Sequence, residues 1–186
     1  MSSVEDVIQY LCEHKLTIAT AESCTAGMMT SMLADVPGCA SILDIGFVVY
    51  TEHAKHNFLG VNLQTINLFG LTSEEVAREM ALGALKRSNA NFAVAITGTA
   101  ESDDELNGVV CFAYAFQTDN AKKTADINDV DIKDVDSSVT NTKVLSETIT
   151  FRGERNQVRN LAAMHAITSI PAYYKKFSIG EGENNQ

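Results

Sequence analysis

The sequence predicts a three-layer α/β/α sandwich with a mixed sheet, in a single domain. Buried-strand patterns such as LTIATAE and NFAVAITG alternate with segments of helical periodicity, which indicates parallel strands joined by helices. Further along, VVCFAYAF and KVLSETITFRG are strand-like runs separated by one long polar segment, which predicts an antiparallel hairpin. A length of 186 residues suits one domain, which we place at 1–176, with a flexible tail at 177–186.

The first half of the chain contains three predicted helices. VEDVIQYLCEHK has the apolar spacing of a helix, and SCTAGMMTSMLADV predicts a second helix that follows directly from the strand LTIATAE. Pro37-Gly38 would end that second helix. After the β-rich run SILDIGFVVY, TEHAKHNFLG predicts a short helix that Gly60 stops.

Two longer helices are predicted in the second half. Thr72 and Glu75 have the spacing of a capping box, which would open a helix through SEEVAREMALGALKRSN. The strand NFAVAITG breaks at Gly98, and the last helix begins near Glu154 and is interrupted near Pro171.

The segment 117–142 predicts an insertion or long loop, because it holds six aspartates and few large apolar groups. Its run DINDVDIKDVD lacks the glycine and the closing glutamate of a calcium loop, so we interpret it as a solvated loop.

Composition excludes several classes of protein. A net charge of −10 argues against a broad nucleic-acid surface, and no apolar run is long enough to span a membrane. The N-terminus has no basic region that would make it a signal peptide, and the four cysteines show no metal-binding spacing. We therefore expect a cytoplasmic protein with reduced thiols and neither nucleic-acid nor membrane partners.

Ser23 is a candidate nucleophile, because it lies where a buried strand turns into the predicted helix. Backbone N–H groups of Cys24 and Thr25 would then point towards a group attached to its oxygen and stabilise an oxyanion. Gly27 would allow a ligand to approach the backbone closely. The alternative is that Ser23 is only a helix N-cap, as many serines at helix starts are.

A serine nucleophile needs a base, and the spacing of the four histidines supports no Ser/His/Asp order. Lys55 could serve if burial lowered its pKa. Tyr50, at the end of a strand, could bridge the serine and the lysine through its hydroxyl group. The alternatives are a solvated Lys55 and a Tyr50 at the edge of the core.

Three ordered motifs resemble the CinA C-terminal domain family, which is associated with nicotinamide-nucleotide amidase activity. Where that family has ESCTGG, this sequence has Glu22-Ser23-Cys24-Thr25-Ala26-Gly27. It also has the Pro-Gly-x-x-Ser run of residues 37–41 and a Tyr50-to-Lys55 segment before Leu-Gly-Val. LTSEEVAREMALGALKRSNANFAVAITGTA and FRGERNQVR resemble later blocks of the family.

The resemblance implies an amidohydrolase that converts nicotinamide mononucleotide to nicotinate mononucleotide and ammonia. It assigns catalysis to Ser23, Lys55 and Tyr50, with an acyl-enzyme intermediate and no metal or organic cofactor. It also implies a homo-oligomer. Substrate binding would fall to Cys24, Thr25, Gly27, Thr97, Gly98, Arg155 and Arg159.

One loop departs from the family pattern. Where the family has the glycine-rich AGPGG stretch after Thr-Gly, this chain has four carboxylates in the segment 99–108, at Glu101, Asp103, Asp104 and Glu105. Backbone amides of a glycine-rich loop can cradle a phosphate, whereas carboxylates would repel one. The alternative is an acidic loop that simply faces water.

Arginines near the C-terminus could supply positive charge instead. Arg155 and Arg159 are four residues apart on a predicted helix, which suits recognition of a phosphate or carboxylate, and Arg152 lies just before them. Surface salt bridges are the alternative. Three functions stay open: an amidase for a nicotinamide nucleotide, an amidase for a non-phosphorylated amide, and a non-catalytic ligand-binding paralogue.

Overall fold

The computed structural model describes residues 3–117 and 142–179, which form a five-stranded mixed sheet in the order β2-β1-β3-β4-β5. Strands β2, β1 and β3 are parallel to one another, and β4 and β5 are antiparallel to their neighbours. The predicted sheet and its late hairpin are confirmed. The strands are β1 (Ile18–Glu22), β2 (Leu43–Val48), β3 (Phe92–Gly98), β4 (Val109–Gln117) and β5 (Thr142–Thr150).

Helices cover both faces of the sheet, as expected for the three-layer architecture. Helices α1, α2, α6 and α7 pack on one face, and α3, α4 and α5 pack on the other. Their bounds are α1 (Val4–Glu13), α2 (Met28–Ala34), α3 (Glu52–Leu59), α4 (Leu63–Phe69), α5 (Glu74–Lys86), α6 (Arg155–Thr168) and α7 (Ile170–Ile179). No helix in the described part of the chain is long and apolar enough to cross a membrane.

The two faces of the sheet are built from residues of different size. The face that meets α5 is made largely of alanines, which let this long helix approach the strands closely. The opposite face carries large side chains such as Phe92, Phe112 and Tyr114, which fill the space under α1, α6 and α7. Because successive side chains of a strand point to opposite faces, small side chains face α5 and large ones face α1, α6 and α7.

Several predicted element boundaries need correction. Helix α2 does not begin at Ser23 but at Met28, because residues 24–27 form a turn first. Ser73, rather than Thr72, caps α5 by accepting from the N–H of Val76, while the hydroxyl of Thr72 bonds to Thr99. The sequence reasoning also missed α4 entirely.

At the C-terminus, α6 ends at Thr168 and α7 begins at Ile170, so the predicted interruption near Pro171 is present. Helix α7 runs to Ile179, and Phe177 is buried in the core. The expected tail therefore does not begin at 177. The remainder of that tail and nearly all of the predicted insertion lie outside the described residues.

Strand direction brings several chain segments to one edge of the sheet. The C-terminal ends of β1, β2 and β3 lie together there, since these strands are parallel. The antiparallel neighbours add the start of β4 and the end of β5, which leads into α6. Ser23 is the first residue beyond β1 and therefore lies on this edge.

Candidate active site

Ser23 is held rigidly at the end of β1. Its N–H donates to the carbonyl oxygen of Ile96 on β3 at 2.9 Å, and its own carbonyl accepts from the N–H of Ala26 at 3.0 Å. The turn then reverses through Ala26 (φ 51°) and Gly27 (φ 90°), both in the left-handed region. Gly27, and not Ser23, caps α2, so the N-cap interpretation of Ser23 is wrong.

Lys55 meets Ser23 directly, as the proposed pairing of nucleophile and base requires. Its Nζ donates to the Oγ of Ser23 at 2.8 Å and to the carbonyl oxygens of Tyr50 at 3.1 Å and Val49 at 3.2 Å. Only 1% of Lys55 is exposed, so the solvated-lysine alternative is wrong.

The position of Lys55 depends on how α3 is anchored. Thr51 caps the start of this helix by accepting from the N–H of Ala54. At the other end, the carbonyl oxygen of Leu59 accepts from the guanidinium of Arg87 and packs where any side chain on Gly83 would clash. Both ends of the helix that carries Lys55 are therefore fixed.

Burial changes the acid–base behaviour of both side chains near Ser23. It lowers the pKa of Lys55 to about 8, although the nearby Cys24 thiol acts in the opposite direction. Roughly a tenth of Lys55 would then be neutral at pH 7 and able to accept a proton. Burial raises the pKa of the Cys24 thiol to about 11, which keeps it protonated and makes it a poor rival nucleophile.

The sequence predicts that the N–H groups of Cys24 and Thr25 stabilise an oxyanion, and that role stays a prediction. Neither donates to another residue in the part of the chain that the structure describes. Arg159 donates through Nε to the carbonyl oxygen of Cys24 at 2.9 Å and through Nη2 to that of Thr25 at 3.1 Å. Because C=O and N–H point oppositely in a trans peptide, the bond to Cys24 turns the N–H of Thr25 away from Arg159.

Arg159 therefore lies against the turn that carries Ser23. Its third nitrogen donates to the side chain of Asn156 at 2.9 Å, so three nitrogens of its guanidinium have protein partners. The expected contact of Arg159 with substrate stays a prediction.

Glu22 is a buried carboxylate that the sequence reasoning did not assign. None of its surface is exposed, and it accepts hydrogen bonds from the N–H groups of Gly27, Met29 and Thr30. The hydroxyl of Thr30 donates to it as well, at 2.7 Å. The available signal was a charged residue ending an otherwise apolar strand with a helix close behind it.

Tyr50 occupies a different position from the expected bridge between Ser23 and Lys55. It lies two residues beyond β2 and is 52% exposed, and its hydroxyl accepts from Nη2 of Arg155 at 3.1 Å. Lys55 contacts the backbone carbonyl of Tyr50 instead. The direct contact between Lys55 and Ser23 makes a tyrosine relay unnecessary for the first proton transfer.

Thr97 and Gly98, at the end of β3, have structural partners. The hydroxyl of Thr97 donates to the carbonyl oxygen of Leu71 at 2.8 Å. A Cβ on Gly98 would lie 2.6 Å from the carbonyl oxygen of Val109, so glycine is needed for the close pairing with β4. Their expected role in substrate binding stays a prediction.

The acidic loop of residues 99–108 leaves the sheet on the same edge as Ser23. Its ends are closed by bonds from the N–H of Thr99 to Val109 and from the N–H of Gly108 to Thr99. Asp104 organises its interior by accepting from Ser102 and Leu106. All four acidic side chains in this loop are exposed: Glu101, Asp103, Asp104 and Glu105.

Within residues 3–117 and 142–179, no group of three His, Cys, Asp or Glu side chains is arranged to hold a metal ion. This edge of the sheet brings together a buried serine and a buried lysine whose side chains are in hydrogen-bond contact.

Comparison with known proteins identifies the family. The sequence-family model of the CinA C-terminal domain matches residues 1–142 of this chain. A putative competence-damage inducible protein from Symbiobacterium thermophilum is 36% identical over 167 residues, covering 88% of this chain and 36% of that protein. A Clostridium beijerinckii protein of the same name is 48% identical over 53% of this chain and 24% of its own length. This chain thus spans about a third or less of these two relatives.

Solved structures agree with these matches. The competence/damage inducible protein CihA from Agrobacterium tumefaciens superposes with a TM-score of 0.75 at 31% identity, over 91% of this chain and 92% of that one. A CinA superfamily protein from Escherichia coli gives a TM-score of 0.73 at 27% identity, over 91% and 89%. With the family model, these likenesses show that the chain belongs to the CinA C-terminal domain family.

Proposed function

We propose that this protein is an amidase that uses Ser23 as nucleophile and Lys55 as general base. The observation that carries the proposal is the 2.8 Å contact from Nζ of Lys55 to Oγ of Ser23, made by a lysine that is almost completely buried. Burial lowers the pKa of Lys55 to about 8, which gives this lysine the basicity that a neutral-pH enzyme requires.

The reaction proceeds in two halves. Neutral Lys55 takes the proton of the Ser23 hydroxyl as Oγ attacks the carboxamide carbon, and the N–H groups of Cys24 and Thr25 stabilise the resulting oxyanion. Lys55 then gives the proton to the leaving nitrogen, and ammonia departs from an acyl-enzyme. Lys55 next deprotonates water, which attacks the ester, releases the carboxylic acid and regenerates Ser23.

The substrate that we propose is nicotinamide mononucleotide, in line with the resemblance of the motifs around Ser23 and Lys55. The position of Arg155 supports an anionic substrate. Its guanidinium donates to the hydroxyl of the exposed Tyr50, which places a positive charge on the site's edge of the sheet, where it suits a phosphate.

The acidic loop favours a second candidate substrate, an amide without a phosphate. Its four exposed carboxylates are on the edge where Ser23 lies, and they would repel a phosphate monoester. Nicotinamide riboside, which has the same carboxamide and a positively charged ring but no phosphate, would meet no such repulsion.

The deciding experiment measures ammonia release from nicotinamide mononucleotide, nicotinamide riboside and nicotinamide, with Ser23→Ala as the matched control. Turnover of the mononucleotide that Ser23→Ala abolishes supports the first candidate. Preference for the riboside supports the second. A folded protein that hydrolyses none of the three while binding one of them would make it a non-catalytic paralogue.

A further inference from the structure

Glu22 joins the two ends of the turn that carries the nucleophile. It is the last residue of β1, directly before Ser23, and its Oε2 accepts from the N–H of Gly27 at 3.0 Å and of Met29 at 3.1 Å. Its Oε1 accepts from the N–H and the hydroxyl of Thr30 at 2.8 and 2.7 Å. The four residues between Glu22 and Gly27 are therefore closed into a loop by one side chain.

These contacts are specific to a carboxylate. All four partners are donors, so a side chain in this place must accept at both oxygens. Within the described residues, no Lys, Arg or His forms an ion pair with Glu22, so hydrogen bonds alone compensate for burying it. A glutamine would place an NH2 group against at least one of these donors.

We propose that Glu22 is a positioning residue of the Ser23 site, an inference that rests on the proposed amidase function. By tying the start of α2 to the end of β1, it sets the path of the turn that presents Oγ of Ser23 and the N–H groups of Cys24 and Thr25. Arg159 holds the same turn from its carbonyl side. Glu22 is fully buried and makes no hydrogen bond to Oγ of Ser23 or Nζ of Lys55 in the described part of the chain, so it acts through the turn and not on the reacting atoms.

This role predicts a particular kinetic signature. Oγ of Ser23 and the two amide donors act on the transition state, so a displaced turn lowers kcat and changes KM little. Misplacement by about 1 Å can reduce the rate about 100-fold. A purely structural role would instead lower the melting temperature and leave the kcat of the folded enzyme unchanged.

The test compares Glu22→Gln with Glu13→Gln in the whole chain. Glu13 is exposed at the end of α1, near the start of β1, whereas Ser23 lies beyond the opposite end of β1. Its substitution therefore makes the same charge change away from the site. Three quantities are measured: kcat and KM for whichever amide the enzyme hydrolyses, the rate at which p-nitrophenyl acetate acetylates Ser23, and amide hydrogen exchange of the segment 23–31.

For Glu22→Gln we expect kcat and the acetylation rate to fall together by about 10- to 100-fold, with KM within about twofold and faster exchange at Gly27, Met29 and Thr30. Glu13→Gln should match the unmodified protein. Thr30→Val, which removes one donor to the same carboxylate, should change the same quantities in the same direction by less, and it serves if Glu22→Gln does not fold.

Wild-type kcat and acetylation in folded Glu22→Gln would overturn the inference while leaving the proposed function intact. The same holds if Glu22→Gln is unfolded and Thr30→Val behaves as wild type. An unmodified protein that neither hydrolyses the amides nor acetylates at Ser23 would overturn the proposed function itself, and the positioning role with it.

Discussion

Two neighbouring parallel strands end side by side on the active edge of the sheet, and the segments that follow them differ sharply. After β1 comes the turn at residues 23–27, in which Ser23, the proposed nucleophile, is 6% exposed, and Glu22 and Arg159 bond to this turn from two sides. After β3 comes the acidic loop of residues 99–108, whose charged side chains face outwards and which is braced mainly by Asp104.

If the proposed amidase function holds, this difference places bond cleavage and substrate choice in two separate segments of this edge. Buried polar contacts in the turn each need a specific partner, so the residues that would carry out the chemistry tolerate little change. Exposed side chains of the loop can change sign or size without disturbing the packing beneath them. Substrate charge can thus change while the Ser23–Lys55 pair stays in place.

The largest expected effect comes from removing the nucleophile. Ser23→Ala should lower amide hydrolysis by at least about 10³-fold, because the free amides and binding alone leave only a small residual rate. Measuring ammonia release with each accepted substrate tests this. Cys24 should not substitute for Ser23, since burial raises its thiol pKa to about 11.

The same variant should remain folded. Ser23 does not cap α2, and its two backbone hydrogen bonds, to Ile96 and from Ala26, do not involve its side chain. The variant does remove one acceptor of the buried Lys55, but two backbone carbonyl acceptors of its Nζ remain. A thermal melt run beside the assay should therefore show a loss of no more than about 1–3 kcal/mol in the free energy of unfolding. Near-native turnover by the folded variant would exclude Ser23 as nucleophile.

Removing the base should have an effect of similar kind and somewhat smaller size. Lys55→Met keeps the length of the side chain but cannot accept a proton, so we expect a loss of about 10²- to 10⁴-fold in kcat. In the unmodified enzyme, kcat/KM should rise with pH and level off above about 8, where Lys55 is neutral. A rate that does not change between about pH 6 and about pH 9 would contradict the role of Lys55 as base.

Stability should report on the same lysine. Burial places the folded-state pKa of Lys55 near 8, below its ordinary value of 10.5, so the unfolded chain binds more protons between these values. The contribution of Lys55 to the free energy of unfolding therefore increases as pH rises through this window. Urea titrations of Lys55→Met should lack that contribution, and an identical pH dependence in both proteins would count against the shifted pKa.

A moderate effect is expected from neutralising the acidic loop. Changing Glu101, Asp103 and Glu105 to their amides should lower KM for nicotinamide mononucleotide by about 2- to 10-fold, because phosphate repulsion is relieved. KM for nicotinamide riboside should not fall. Higher salt should reduce the difference between the two proteins.

Asp104 is left out of that change because it holds the loop together. Hydrogen bonds from Ser102 and Leu106 lower the pKa of its carboxyl group, which marks it as a bracing residue. Asp104→Asn alone serves as the control for loop disruption without a large change in charge. An unchanged KM in the triple variant would mean that the loop does not face the phosphate.

The pattern of residues predicted most of the strands and helices but not one short helix and one turn between elements. Short apolar runs identified β1, β3 and β4, and the strand-like run after the polar segment identified β5, since strands buried on both faces are apolar along their whole length. Helix α4 was missed because only Ile66 is buried along it, and the turn before α2 was missed because Ala26 is not an expected left-handed residue.

The site likewise divides into residues that the sequence predicted and residues whose positions depend on the tertiary fold. Ser23 and Lys55 were predicted from their motifs, and the structure brings their side chains into contact. The hydroxyl of Tyr50 was expected beside them but lies with Arg155, because which way an exposed side chain points depends on tertiary neighbours. Glu22 was overlooked, since only the folded turn brings three backbone donors to one carboxylate.

The smallest expected effect tests the strain in the turn itself. Ala26 has a φ of 51°, a conformation that an alanine adopts at a cost of about 1 kcal/mol and a glycine adopts freely. Ala26→Gly should therefore stabilise the protein by up to about 1 kcal/mol, reduced by the larger entropy of glycine in the unfolded chain. Because Glu22 and Arg159 already fix the path of the turn, kcat should stay within about twofold of the unmodified enzyme. Urea denaturation and ammonia release measure the two quantities, and Ala40→Gly, in the short 3₁₀ helix Cys39–Ser41, should destabilise instead. Destabilisation by Ala26→Gly would show that the left-handed turn carries no strain.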